Sequence, residues 1–270
     1  MRATGSAWRL TREYCLDTAG PVPVEDIAMD QGILCLQANL TGCLARLVRK
    51  KNKGIIRTHT GIKEEGRRRF AIAHELGHWF LHEAESQSFI CTAENMRDYK
   101  GSPMEVEANI FASEFLMPTP IFKPLAEKVE PRLETIAELA ETFLTSLTAT
   151  AMRFIEMNQY ECILVLSNSG KVSWSKQSGN RSGLRIEKGV SLHPRSLAFH
   201  STATDPQIGP DIVPVEAWIA ENWYDRSIEI TEECWHLKNY NSTLSLLVVT
   251  DADPNDDSTK PRWAGRDDLP

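Results

Sequence analysis

Two histidines four residues apart, His74 and His78, constrain this chain more than any other feature, because they lie where Phe70, Ala73, Leu76, Gly77 and Phe80 recur at helical spacing. That spacing predicts a helix over about 66–84. Side chains at i and i+4 of a helix project from one face about one turn apart. A catalytic zinc site needs three protein ligands and an open position for water. The run His74-Glu75-Leu76-Gly77-His78 therefore reads as two ligands of a metal site. Glu75, roughly 100° round the helix by geometry, stands beside the ion rather than on it and is placed to act as general base on a water that the metal activates. Such an ion lowers the pKa of water to about 7 and polarises a carbonyl at the same time.

The third ligand is open on pattern alone. His82 continues the series, but at a rise of about 1.5 Å per residue it lies roughly 12 Å along the axis from His74, so one ion cannot take both. His82 reads instead as a structural partner. A metzincin would need Gly at 81 and His at 84, where this sequence has Leu81 and Ala84. Ser102-Pro103 supplies an N-cap and a first-turn proline for a second helix, which Pro118 and Pro120 stop after Met117. On that helix Glu105 shares a face with Ala108, Asn109 and Ala112, small residues that allow close approach of two helices, while Glu107 falls nearer Phe111 and Glu114. Ser102-x-x-Glu105 also matches a capping box, in which Glu105 would only close the helix start.

Around these two helices the chain changes character several times. From Pro21 a short proline-started helix leads through a Gly turn into a β-rich stretch, and Gly54–His59 reads as a strand running to Gly61. Residues 86–102 show no sustained period and read as a loop. Two more helices are expected over 133–157, the first on Ile136, Leu139, Ala140 and Phe143, the second on Ala149, Met152, Phe154 and Ile155. After 160 the pattern is β, with a turn at Asn168-Ser169-Gly170. Three regions follow: a domain over 1–159, a β-rich domain over 160–250 that senses a signal or holds substrate, and a polar, proline-broken tail over 251–270 expected to be disordered. Trp174, Trp218, Trp223 and Trp235 read as core of the β-rich part.

Charge narrows the ligands. With 30 Lys and Arg against 37 Asp and Glu the net charge is -7, which argues against a polyanion as main partner. The 133–157 pair has the apolar spacing of a helix-turn-helix, but Leu144 stands where such turns have Gly, and Glu127, Glu130, Glu134, Glu138 and Glu141 would repel phosphate. Direct DNA binding is not expected. The Arg67-Arg68-Arg69 run reads as a solvated helix start, with contact to an acidic substrate segment as the alternative, and His59 as a structural histidine with a second possible role beside a tetrahedral intermediate. No apolar segment reaches the roughly 18 residues of a membrane span. Six cysteines without a C-x-x-C pair fit buried free thiols. The expectation is a protein of the cytoplasm.

Ala73-His74-Glu75-Leu76-Gly77-His78-Trp79-Phe80-Leu81-His82, followed after a loop by Glu105-Val106-Glu107-Ala108-Asn109 through Pro118, resembles the ImmA/IrrE family of zinc endopeptidases. The resemblance is strong over 66–120, weaker over 21–65 and 121–157, and absent after 160. It implies that the ligands are His74, His78 and Glu105, the last being the Glu four residues before the Asn of the second helix. It implies an α+β, zincin-like catalytic domain in which the motif helix packs on a small sheet, while the helical pair and the smaller β-rich C-terminal domain that follow are read from the residue pattern itself. It further implies zinc, with Mn or Fe also acceptable to two imidazoles and a carboxylate. The implied activity is cleavage of a helix-turn-helix repressor that releases mobile-element or stress-response genes. The alternative is a non-proteolytic regulator or toxin-antitoxin component that keeps the zinc fold as a protein-binding module.

Overall fold

The computed structural model describes residues 2–82, 88–91, 102–178, 184–219 and 228–251, with the backbone alone at 88–91 and 251. The fold is mixed α and β, and its contacts divide it into two compact units: Met1–Leu125 with Ala137–Arg153, and Ala126–Ile136 with Phe154–Pro270. Among the described residues no helix is long and apolar enough to cross a membrane.

The first unit opens with α1 (Arg2–Glu13), whose buried Ala3, Ala7, Leu10 and Thr11 form one helical stripe. Then come α2 (Val24–Asp30), β1 (Ile33–Ala38), β2 (Ala45–Lys50), β3 (Lys53–His59), α3 (Glu65–Leu81), β4 (Ser88–Cys91), α4 (Pro103–Leu116) and α5 (Thr119–Ala126). Two further helices, α6 (Leu133–Phe143) and α7 (Leu147–Met157), follow, and their stretch Ala137–Arg153 belongs to this unit. The sheet has the order β1-β3-β2-β4, with β1 parallel to β3 and the other pairs antiparallel. Gly32, between α2 and β1, has φ +78, and a Cβ there would lie 2.9 Å from the Asn52 carbonyl oxygen. Only glycine makes this tight entry to the strand without strain.

Residues 86–102, read from sequence as a loop, contain a strand. Ser88–Val48 and Cys91–Ala45 are the end pairs of an antiparallel ladder between β4 and β2. Four residues are too few to display an alternation, so the strand exists through its partner and not through its own pattern. Residues 92–101 lie outside the described residues, as do Trp223 and 252–270 of the tail.

Helix α3 is the centre of the unit. Every residue from Ala71 to Trp79 is buried, so it is enclosed on all sides where its pattern suggests one wet face. Ile33, Leu47 and Ile56 of the sheet join Ile72, Leu76 and Trp79 of α3 and Phe111 and Phe115 of α4 in one apolar cluster. The arginine run is a correction to the reading of a solvated helix start. Arg69 is buried and donates to the Val22 and Leu144 carbonyls at 2.6 and 3.1 Å, while Arg68 bridges Glu25 and Glu65. Near Arg69 the turn between α6 and α7 lies against α3 so closely that a Cβ on Gly66 would be 2.3 Å from the Thr145 carbonyl carbon. Leu144 takes the left-handed backbone in that turn, φ 51.

The second unit has a five-stranded antiparallel sheet of β5 (Glu161–Asn168), β6 (Lys171–Gln177), β7 (Gln207–Val213), β8 (Ile228–Leu237) and β9 (Ser242–Asp251), in the order β6-β5-β9-β8-β7. The Asn168-Ser169-Gly170 turn is a two-residue hairpin with φ 50 at Ser169 and 72 at Gly170. Two positive φ values in a row match the right-handed twist of the flanking strands. Trp218 is buried in this unit, while Trp174 and Trp235 are half-buried. Of the five cysteines described as free, only Cys162 and Cys234 are buried, which corrects the expectation of buried thiols throughout.

Candidate metal centre

Helices α3 and α4 make the site by coming unusually close. A Cβ on Gly77 would lie 2.9 Å from the Ala108 Cα and 3.1 Å from its carbonyl oxygen. Gly77 is thus required by the neighbouring helix, a sharper reason than the easier metal approach that its position in the motif suggests. Ala108 is one turn beyond Glu105, so the contact carries the Glu105 carboxylate onto the histidine face.

His74 and His78 are both fully buried. Their Nε2 atoms lie 3.1 Å apart, and the Glu105 carboxylate completes a triangle, with Oε2 3.2 Å from His74 Nε2 and Oε1 3.4 Å from His78 Nε2. One donor atom from each of the three residues fits within 4.8 Å. A tetrahedral zinc ion with bonds of about 2.0–2.1 Å sets its ligand atoms roughly 3.3 Å apart. The three separations bracket that spacing, and the donor set of two imidazoles and a carboxylate is the right chemistry for such an ion. Glu75 is fully buried between the two histidines in sequence.

Burial raises the Glu105 pKa, but hydrogen bonds from His74 and His78 and their charge outweigh it and hold the carboxyl at about 2. The capping reading of Glu105 is met by its backbone, since its N–H reaches Ser102 Oγ at 3.5 Å. The carboxylate goes to the histidines.

The other sequence candidates sit elsewhere. His82 Nδ1 is 3.0 Å from His78 Nδ1, and its Nε2 is 2.9 Å from Glu107 Oε2. Glu114 is buried in a separate network, accepting from Trp8 Nε1, the Thr119 N–H and hydroxyl, and Arg153 Nη2. His59 Nδ1 accepts from the Gly61 N–H at 2.7 Å and closes a turn. The contact of Asn109 with a ligand candidate, and Cys43 altogether, escaped sequence reasoning. Asn109 Oδ1 lies 2.9 Å from His74 Nδ1, one turn beyond Glu105 on the same helix face. The Cys43 thiol is raised by burial, lowered by Arg46 and raised again by the charge of Glu75, so it lies within electrostatic reach of that carboxylate. No local pattern points to Cys43, because it comes from the loop before β2.

Residues 28–154 match the model of the Peptidase_M78 family, described as the IrrE N-terminal-like domain, and the chain carries a domain of that family. Among solved structures it is similar to a chain described as a Mycobacterium tuberculosis transcriptional regulator, at 18% identity and a TM-score of 0.56, over 92% of this chain and 87% of that one. At that identity the likeness is one of fold. No protein of curated function matches the sequence.

Proposed function

We propose that the chain is a zinc-dependent endopeptidase of the cytoplasm that cleaves a helix-turn-helix repressor, with His74, His78 and Glu105 holding the metal and Glu75 as general base. The observation that carries this is the convergence of the two Nε2 atoms, 3.1 Å apart, on the Glu105 carboxylate, whose Oε2 is 3.2 Å from His74 and whose Oε1 is 3.4 Å from His78. When bound, the ion supplies Lewis-acid polarisation of the scissile carbonyl and an acidified water. Glu75 takes the proton from the attacking water and returns it to the leaving amine. Its burial keeps bulk water from competing for that proton. Mn or Fe would satisfy the same donors.

The α6–α7 pair is read as packing and not as a DNA reader. Thr150 through Ile155 of α7 are all buried, and Glu134, Glu138 and Glu141 are exposed on α6. A recognition helix needs an accessible face and a basic surround. The β-rich unit is assigned either the sensing of a signal or the holding of substrate. One observation favours a second reading, a non-proteolytic regulator that uses the zinc fold to bind protein: the structural neighbour is described as a transcriptional regulator.

The test incubates the protein, zinc-loaded or chelator-stripped, with the repressor encoded beside it and follows the repressor by intact mass. A single metal-dependent cut is expected, falling by about 10²–10⁴-fold in Glu75→Gln with zinc retained. Equal cutting by that variant would remove Glu75 as base. A bound but uncut repressor would favour the second reading.

A further inference from the structure

Charge is spread unevenly along this chain. The stretch from Gln31 to Lys63 holds 7 of its 30 Lys and Arg and none of its 37 Asp and Glu. Strands β1, β2 and β3 fall in that stretch, and their register sorts the cations by face. Ile33, Leu47 and Ile56 turn inward to the apolar cluster with α3, so their neighbours in sequence turn outward by the alternation of a strand. On the outer face Arg46 stands directly opposite Arg57, and Lys50 opposite Lys53. Between these two cationic rows lies an apolar one, in which Leu34, Ile55 and Val48 are successive cross-strand partners. Leu36 is the partner of Arg57 on β1, and it and Leu34 are 43% and 47% exposed.

Like charges directly opposite each other destabilise a sheet. Here two such pairs stand on one face, and none of the four cations makes an ion pair among the described residues. The Nε of Arg46 is buried without a hydrogen-bond partner, which adds the cost of an unsatisfied donor. The fold thus bears this arrangement at a loss, and an anionic partner would turn the loss into binding. We infer that the outer face of β1, β3 and β2 docks an acidic segment of a partner protein, its carboxylates on either side of an apolar residue. The inference holds for a partner that is cut and for one that is only held, so it does not rest on the chemistry at the metal centre. The Arg46–Arg57 row is at the end of the sheet nearer that centre, since Cys43, three residues before Arg46, feels the charge of Glu75.

The apolar middle row selects protein among anionic partners. Faces that bind duplex nucleic acid are polar and strongly positive, and those that bind single strands set aromatic rings beneath the bases. This row is aliphatic, and the rest of the chain, with the remaining 23 Lys and Arg against all 37 Asp and Glu, repels a long polyanion. A short acidic segment confined to the face escapes that repulsion. Lys53 and Arg57 are four residues apart on β3, which sets the two cationic rows about 13 Å apart. A fluid lipid surface offers no such fixed spacing, whereas an extended peptide with acidic residues at i and i+4 and an apolar one at i+2 matches it on one face. A second copy docked by a two-fold axis would bring cation against cation, because the same patch meets itself.

The test titrates the full-length ¹⁵N-labelled chain with the blocked peptide GSETLTESG and follows backbone amide shifts, a readout that reaches weak binding. Shifts are expected at Leu34, Leu36, Arg46, Val48, Ile55 and Arg57, and none with the lysine counterpart GSKTLTKSG. Arg46→Glu sets a carboxylate opposite Arg57 and is expected to melt no lower than the wild type, while its peptide affinity falls about tenfold or more. Lys50→Glu, at an exposed position, is expected to weaken the peptide in the same sense. A wild type whose β1–β3 amides ignore the peptide, or variants that bind it as the wild type does, overturn the inference. So does a stronger response of the same amides to a short DNA duplex, to phosphatidylserine vesicles, or to concentration of the protein alone, which would assign the face to nucleic acid, lipid or a second copy. A marked fall in the Arg46→Glu midpoint would make that arginine structural, and Lys50→Glu then decides by the same binding criterion.

Discussion

Glu105 in one unit and Glu232 in the other are both carboxylates withdrawn from water, and their partners treat them in opposite ways. Glu232, on β8, accepts backbone N–H bonds from Leu197 and Ala198 at 2.9 and 2.8 Å and the Trp218 indole N–H at 2.8 Å. Those donors are neutral, so desolvation wins over them and pushes the carboxyl up to about 7. Desolvation also raises Glu105, which is less deeply buried than Glu232, and its two imidazole partners outweigh it and hold the carboxyl at about 2. The contrast separates a structural carboxylate from a candidate ligand. The partners of Glu232 are committed donors with no other use, and the group caps the short helix α8 (Leu197–His200) while pinning Trp218. The partners of Glu105 are themselves metal donors, so the three groups make chemical sense as a set around a cation.

Glutamine at each position gives the largest expected difference. In Glu105→Gln a neutral amide replaces the proposed anionic ligand, and stoichiometric zinc binding by elemental analysis should be lost, while the metal-free protein still folds but melts somewhat below the wild type at neutral pH, because the ionised carboxylate no longer pairs with the two imidazoles. In Glu232→Gln zinc content should be untouched, but one amide hydrogen now faces a donor N–H, which costs about 1–3 kcal/mol for the unsatisfied group. The comparison breaks if both variants lose zinc, or if neither does.

pH sharpens it further, because the two groups act in adjacent windows with opposite slopes. Glu232 has a folded pKa raised from 4.5 to about 7. Its contribution is therefore fully present below about 4.5 and is lost as pH rises through about 7, by at most about 3 kcal/mol. Glu105 has a depressed folded pKa, so in metal-stripped protein its contribution is present above the unfolded value and is lost as pH falls toward 2. Urea midpoints of the metal-stripped protein should then rise with pH in the acid window and fall through the next. A profile without the falling limb, or a falling limb that survives in Glu232→Gln, would assign the slope to other groups.

Much of this was readable before any coordinate, and the boundary between what was and was not is physical. The period around Phe70 and Phe80 yields α3 within about three residues at each end, since burial of one stripe leaves a direct mark on sequence. The Ser102-Pro103 start and the proline stop bracket α4 for the same local reason. Strand β4, the Arg69 ties and the Asn109 contact were not legible, because each is decided by a partner more than 30 residues away. Sequence could place Glu105 on the right face of its helix, but only the Gly77–Ala108 contact sets how near that face comes. Periodicity reports what an element buries and is silent on which neighbour buries it.

The smallest expected effect tests that contact. Gly77→Ala gains about 1 kcal/mol of helix propensity, and against it stands overpacking of typically about 1–3 kcal/mol. The obstructing atoms are backbone atoms of Ala108 at 2.9 and 3.1 Å, which cannot swing aside as a side chain would, so α4 must move as a body. The two terms nearly cancel in stability and do not cancel at the site, because the shift draws Glu105 away from His74 and His78. The thermal midpoint should therefore change by a few degrees at most, while zinc affinity weakens clearly and the amides of Leu197 and Ala198, held by Glu232, exchange with solvent as before. A variant that gains the full propensity term and binds zinc as tightly as the wild type would mean that α4 does not depend on the glycine for its approach, and the close packing could not then be what brings the third donor to the histidines.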